Sequence, residues 1–491
     1  MNRAEKRRQK KLAKKVAWNA KLGKTTIRSP RQQTLATQES IAVALQHHNA
    51  GRLSQAEGIY QQIVQDDPNQ PVALNLLGMI SHQVGKNDIA VDFITKALTI
   101  KPDYFEAHSN LGNTLKALGC LDEAVASYHK ALAIKPDYFE AHNNLGNALQ
   151  KLGRLDEAVA SFHKAIAIQP DAALPHNNLG NALQDLGKLD EAVASYHKAL
   201  AIKPNYFEAH SNLGNALKAL GRLDEAVASY HKALAIQPDF ADAINNLGNA
   251  LQELGRLDEA VASFHKVIAI KPDAALAHNN LGNALQELGQ RHEAVTYHRR
   301  AVAFDPQNDL LWAGLAESVK YFSFTSVDDN LLQDLWNLLE QSTVDPYYLS
   351  QPIISALRHH PDFSQILELT GSGKLEIEIA YGDVAEQLSA IPLFLQIMGL
   401  GPINSLEIER MLTLLRRAMI VETVAGKTDD KGLPFSAALA LQCFANEYVF
   451  RETDEEKAAV EHLQQQIAAL VEKGRDVPRS CVATLGAYRP L

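Results

Sequence analysis

Cysteine is nearly absent: Cys120, Cys443 and Cys481 are the only three in 491 residues. They lie far apart, with no CxxC and no Cys/His ligand spacing, which argues against a disulfide framework and a structural zinc site and fits a reducing compartment. No stretch reaches the roughly 20 uncharged apolar residues that a bilayer span needs. Positions 1–24 are basic and lack the apolar core of a secretory signal, so the sequence predicts a cytoplasmic protein with no transmembrane segment. With 27 Gly and 19 Pro, collagenous and low-complexity chains are excluded, and 46% hydrophobic with 21% charged residues is a globular composition. Catalytic signatures are missing too. There is no GxSxG, HExxH or P-loop, and Gly371-Ser372-Gly373 lacks the third glycine and the following helix of a dinucleotide loop. The expectation is a protein that is not an enzyme and uses no cofactor and no metal.

What is present is unevenly charged. Residues 1–31 hold twelve Lys/Arg and one acid, Glu5, while the rest of the chain is strongly acidic and brings the total to -9. Such an arm can touch nucleic acid or an anionic surface, or can be a solvated tail that folds back on its own body. The tail reading is preferred because no aromatic run accompanies the charges to stack on bases. Residues 1–31 remain a candidate for weak nucleic-acid or anionic-surface contact.

A repeat dominates the rest. Gly78, Gly112, Gly146, Gly180, Gly214, Gly248 and Gly282 recur at a constant interval of 34, in step with Ala56 to Ala294 and Pro68 to Pro306. Eight units cover residues 37–308, each reading as two antiparallel helices. In 207–240, His210, Leu213, Gly214 and Leu217 share one face of helix A, and Gly221 stands where a left-handed cap ends it. Asp224 is placed to cap helix B, and Ala226, Tyr230 and Ala233 form its packing stripe up to Pro238. Gly214 and Ala226 let the two axes approach, and Tyr230 fills the gap to the next unit. The first unit departs at Ala44 and the eighth at His292, as terminal units do. Trp312, Leu315, Ala316 and Val319 repeat the helix A spacing once more, giving a closing helix over 309–320.

This order of bulky residue, Leu-Gly, large apolar residue, Ala, aromatic, Ala and Pro resembles the tetratricopeptide repeat family. The resemblance implies an all-α, right-handed α-solenoid, and a protein-protein interaction scaffold whose partner is a protein or peptide in extended conformation. Two asparagine series then stand out on helix A: Asn110, Asn144, Asn178, Asn212, Asn246 and Asn280, and, three positions on, Asn113, Asn147, Asn181, Asn215, Asn249 and Asn283. Three-residue spacing puts both on one helical face, and an amide can pair with peptide backbone while ignoring side chains. The NNLGNAL run is similar to the repeats of the O-linked N-acetylglucosamine transferases, which implies peptide binding by these asparagines. The bland alternative has the amides bonding to one another and finishing the solenoid. The groove reading is preferred, since uncharged polar residues are an unusual lining for a concave surface.

Copying warns against reading every repeated residue as useful. Units 105–138 and 207–240 match at 30 of 34 positions. His108, His142, His176, His210 and His278 fall in the slot that Trp312 fills later, so packing explains them, while His129, His163, His197, His231 and His265 follow an aromatic on helix B and face solvent. Neither column converges on a metal.

From 321 to 491 the period vanishes and a mostly helical domain takes over. Helical patterns run over Asp328–Gln341, Asn404–Met419 and Thr453–Lys473, with capping boxes at Asn404/Glu407 and Thr453/Glu456. Leu375–Ala380 alternates and reads as a strand or a short helix. Arg358-His359-His360, Glu409, Arg416 and Arg417 read as surface or helix-end groups, and Cys443 as core. The basic start, the repeats and the IERMLTLLRRAM and LQCFANEYVF segments resemble bacterial repeat proteins fused to a methyltransferase. That resemblance implies a non-catalytic front half, and an alternative function as the substrate-recruiting part of a protein-modifying transferase.

Overall fold

One glycine per hairpin makes the turn. In the computed structural model Gly221 adopts φ +74°, with Gly221 N–H bonded to Lys218 O and Arg222 N–H to Leu217 O, both at 2.9 Å. This is the double closure of a left-handed helix cap, which a side chain at that φ would strain. Asp224 does not cap helix B. That helix starts at Leu223 with Asp224 and Glu225 in its first turn, and in the matching hairpin the N-cap is Arg154, without a side-chain cap bond. These acids act on the helix dipole instead. His292 likewise sits in a first turn, after an N-cap at Gln290.

The structure describes residues 30–488, apart from 321, 342–343, 372–379, 401–402, 404, 428–429 and 446–451. The basic arm up to 29, the alternating stretch before Ala380, Ser372-Gly373, Asn404 and the 446–450 end of the LQCFANEYVF segment therefore lie outside the described residues. Among those described there are helices and one 3-10 turn, Pro346–Leu349, and no strand. The first helix begins at Pro30, ahead of residue 37, which suits proline's tolerance of a first helical position. No helix among the described residues is long and apolar enough to cross a membrane.

The chain forms two compact units, residues 1–236 and 237–491. The first unit holds six hairpins, Pro30–Asn49 with Leu53–Asp66, then Pro71–Gln83, Phe105–Ala117, Phe139–Lys151, Ala173–Asp185 and Phe207–Ala219, each followed by its helix B. From the second hairpin to the sixth, successive A helices touch one another, so the A helices form one continuous row. The second unit holds hairpins Ala241–Glu253/Leu257–Ile270 and Ala275–Glu287/Arg291–Phe304, the closing helix Asp309–Val319, and the tail.

From the third hairpin to the eighth, a ring of helix B, histidine in the last, lies on the glycine of helix A, while in the second Ile94 takes that place on Gly78. A Cβ at Gly214 would stand 2.6 Å from Tyr230, and one at Gly146 would stand 2.6 Å from Phe162. The ring therefore seats on its own hairpin's glycine, and Tyr230 and Phe162 are fully buried. The first histidine column has a second bond besides packing. Nε2–H of His108, His142, His176, His210 and His278 donates to the carbonyl of Pro102, Pro136, Pro170, Pro204 and Pro272 at 2.8–3.2 Å. Trp312 Nε1 makes the same bond to Pro306 at 2.9 Å. Burial lowers the pKa of His142, His176 and His210 against that carbonyl bond, which keeps the rings neutral donors. The second column, His129 to His265, is exposed.

The tail packs on the last hairpin through one apolar core running from Val295 and Trp312 to Tyr488. Its helices include Asp329–Glu340, Leu406–Val424, Asp454–Glu472 and Arg479–Gly486. Asp328 caps the first through Leu331 N–H, and the Thr453/Glu456 capping box forms. The second starts after Ser405, which makes no side-chain cap bond, and Glu407 pairs with Arg358 at 2.9 Å. Arg416 is not a surface group. It is 1% exposed, reaches Glu456 at 3.1 Å, and lies over the Tyr488 ring, whose hydroxyl donates to Glu456 at 2.9 Å. Its neighbours on the helix face, Leu412, Leu415 and Met419, carry it into the core. Burial opposes the Glu456 charge, but Thr453 N–H, Tyr488 and Arg416 outweigh it and hold the carboxyl below its usual range. Cys443 is fully buried, and burial pushes its thiol up to about 12.

Two outcomes test this packing. Gly180→Ala puts a Cβ 2.5 Å from Tyr196 and should cost about 1–3 kcal/mol of overpacking, whereas Gly58→Ala meets nothing within 4 Å in a helix interior and should stabilise by about 1 kcal/mol. Equal melting shifts of the same sign would contradict the ring-on-glycine account. His298 takes the aromatic slot of the eighth hairpin, and burial drops its pKa from 6.5 to about 4. A depressed histidine contributes full stability above 6.5 and loses it below, because the unfolded chain takes a proton the folded site refuses. Denaturant titrations should lose about 2 kcal/mol between pH 6.5 and 5 from this group, and His298→Phe should remove that slope.

Candidate functional site

The asparagines sit on the A helices, and their amides are largely bonded to one another. In what we term the second row, Asn178 Nδ2 donates to Asn143 Oδ1 at 3.0 Å, Asn212 to Asn177 at 3.1 Å, and Asn280 to Asn245 at 3.1 Å. Asn110 does the same to Asn75 at 3.0 Å. Each bond joins one hairpin to the one before it, over 35 residues. The acceptor is the residue ahead of the second-row asparagine in the preceding unit, and that first row, Asn143, Asn177 and Asn279, is buried. In the third hairpin Ser109 replaces the first-row asparagine, and Asn144 turns to Asn113 Oδ1 at 3.0 Å.

The other series, the third row, is tied to helix B. The hydroxyls of Tyr128, Tyr196 and Tyr230 each donate to Asn113, Asn181 and Asn215 Oδ1 at 2.8 Å, and Tyr196 also lies 3.1 Å from Gln184 Oε1. His298 takes the same role for Asn283 at 3.1 Å. Asn147 and Asn249 belong to hairpins whose ring is Phe162 or Phe264, so no hydroxyl reaches them. Asn246 and Asn249 are half-buried on helix Ala241–Glu253. Of the twelve asparagines named from the sequence, Asn110, Asn144, Asn178, Asn212 and Asn280 use Nδ2 on the preceding hairpin, and Asn113, Asn181, Asn215 and Asn283 receive at Oδ1 from their own helix B. The residues overlooked were Asn75, Asn143, Asn177 and Asn245, and the tyrosines. Their signal was a spacing of one repeat plus one residue, and a tyrosine 15 residues after Asn113, Asn181 and Asn215.

The rows stop abruptly. Gly314 stands where the next second-row asparagine would be, and the buried Oδ1 of Asn279 has no partner. A separate groove of about 670 Å³ lies beside helix B of the third and fourth hairpins, lined by Leu132, Leu145, Leu149 and Ile168 with His129, Glu157 and Lys164 at its polar margin. No three metal-ligating side chains among the described residues are placed to hold an ion.

Tyr60 offers an internal control. It fills the same slot as Tyr128, but Leu45 stands in place of the third-row asparagine, and the buried Tyr60 hydroxyl has no partner. Tyr60→Phe should therefore be neutral or stabilising by up to about 1 kcal/mol, while Tyr128→Phe should cost about 1 kcal/mol, measured by equilibrium unfolding. Equal losses would deny the tyrosine–asparagine bond any weight.

Known protein families match the same stretch of chain. A family profile described as TPR repeat matches residues 112–153, 180–221, 214–255 and 248–289. Profiles described as tetratricopeptide repeat match 72–104, 139–172 and 275–304. No curated protein matched. Among solved structures, PilW, a widely conserved type IV pilus biogenesis factor, is 27% identical over 43% of this chain and 98% of its own, with a TM-score of 0.41. YrrB, described as a TPR protein with an unusual peptide-binding site, is 28% identical over 38% of this chain and 95% of its own, with a TM-score of 0.32. TTC0263, a thermophilic TPR protein of Thermus thermophilus, is 25% identical over 37% and 98%, with a TM-score of 0.33. The chain carries tetratricopeptide repeats over 72–104, 112–172 and 180–304.

Proposed function

We propose that the array is a protein-interaction scaffold and that its A helices hold an extended stretch of a partner polypeptide. The observation that carries this reading is the pair of uncharged amide rows repeated along the same face of successive A helices. Such rows offer hydrogen bonds at regular intervals without a charge to select side chains. An extended backbone has unpaired N–H and C=O groups along its length, and binding it through them gives affinity with little sequence preference. The narrower resemblances, to glycosyl transferase repeats and to methyltransferase fusions, rest on sequence pattern alone. The tail supplies a second packed surface, and its ion pair is internal to it.

Replacing Asn144, Asn178 and Asn212 with Ala tests the reading. All three of these side chains bond to the preceding hairpin, so the triple variant should lose about 2–3 kcal/mol of stability in sum while keeping its helices, checked by circular dichroism. Capture of polypeptide partners from lysate should fall at least about tenfold relative to wild type, read by mass spectrometry. Retention of the same partners by both baits would remove the amide rows from the functional surface.

A further inference from the structure

The amide bonds that join the hairpins leave a definite remainder. In the second row, Asn110, Asn178 and Asn212 use Nδ2 on the preceding hairpin, which fixes each carboxamide and turns its Oδ1 away from that bond. In the third row, Asn113 and Asn181 accept at Oδ1 from a tyrosine hydroxyl at 2.8 Å, which fixes the opposite end and leaves Nδ2 clear of that bond. Asn113 is held twice, since Asn144 Nδ2 also donates to its Oδ1 at 3.0 Å. The two rows are three positions apart on one helix and so lie side by side.

We propose that the third and fifth hairpins, built on Tyr128 and Tyr196, each present an oriented couple, an acceptor from the second row and a donor from the third, and that the couple reads the alternating N–H and C=O of an extended main chain. Tyr128 and Tyr196 are then positioning residues for binding: buried on helix B, they touch no ligand but set which atom of the neighbouring asparagine faces it. The phenylalanine-bearing hairpin is the contrast. Phe162 occupies the same seat on Gly146 as Tyr128 on Gly112, at the same 2.6 Å from a built Cβ, yet it has no hydroxyl for Asn147. That carboxamide is free to present either end. An unoriented amide gives up rotamer freedom on binding that an oriented one has already lost. The array therefore mixes rungs of fixed and of selectable polarity, and the Tyr/Phe choice in the core decides where each lies. This inference rests on the peptide-binding reading and extends it to the part of the partner that is read.

The test uses the full chain and a fluorescent, end-capped, uncharged Ala/Thr/Pro peptide, with a depsipeptide of the same side chains in which alternate amide N–H groups are ester oxygens. Tyr128→Phe/Tyr196→Phe should weaken peptide binding about threefold to tenfold, the worth of a hydrogen bond or two, and Phe162→Tyr should strengthen it about twofold to threefold. The depsipeptide should bind wild type more weakly than the amide, and the difference should shrink in the double variant. Side-chain amide ¹⁵N resonances of Asn113 and Asn181 should move in the double variant with the helical signal unchanged, which a merely structural tyrosine would not produce alongside a change in depsipeptide discrimination. Unchanged affinity and discrimination in the double variant, with the asparagine triple variant still weakened, overturns the orienting role alone. Equal binding by the triple variant and wild type, or no binding of the probe by wild type, overturns the peptide-binding reading and this inference with it.

Discussion

The contact between an aromatic ring on helix B and a glycine on helix A is the constraint on which the rest depends. With less than 3 Å between the ring of Tyr196 and a built Cβ at Gly180, no other residue fits without movement. That approach brings the two helices close enough for a hydroxyl at the ring's far edge to reach the residue that follows the glycine on helix A. The same geometry that closes the hairpin therefore delivers the tyrosine hydroxyl to Asn181. Packing and polar surface are two ends of one side chain. Where the ring is phenylalanine, the packing persists and the polar bond is gone.

The repeats were legible because their signals are local and multiplied. The glycine that ends helix A, the alanine of close approach and the proline after helix B each recur once per repeat, and each corresponds to a feature of the hairpin. Asp224 misled because an acid just after a turn is the pattern of a cap, yet the helix begins one residue earlier and uses the acid inside its first turn. Asparagine positions were also legible, but not what each atom does. The bonds run 35 residues, from one unit to its neighbour, and no periodicity argument made within one unit can show a bond that exists only between two. Arg416 was opaque for the same reason, its partner Glu456 lying 40 residues away on another helix.

The tail shows a different economy. It has no repeat to spread its polar groups over, so it concentrates them. Arg416, Glu456 and Tyr488 join helices Leu406–Val424, Asp454–Glu472 and Arg479–Gly486 through one buried cluster, with the capping box of the middle helix sharing the same carboxylate. Removing one member of such a cluster leaves the others charged and buried, so its members stand or fall together.

The missing partner of Asn279 at Gly314 carries a consequence for how such a chain lengthens. The fifth hairpin brings both a donor for its predecessor, Asn178, and an acceptor for its successor, Asn177, so a second copy of that whole repeat, inserted beside the first, strands no amide. Among the described asparagines the unmet buried oxygen is that of Asn279, at the end of the array, and such an end has one whatever the number of blocks. Array length is thus free to drift by whole-unit gene duplication or loss, which fits two units in this chain that still match at 30 of 34 positions.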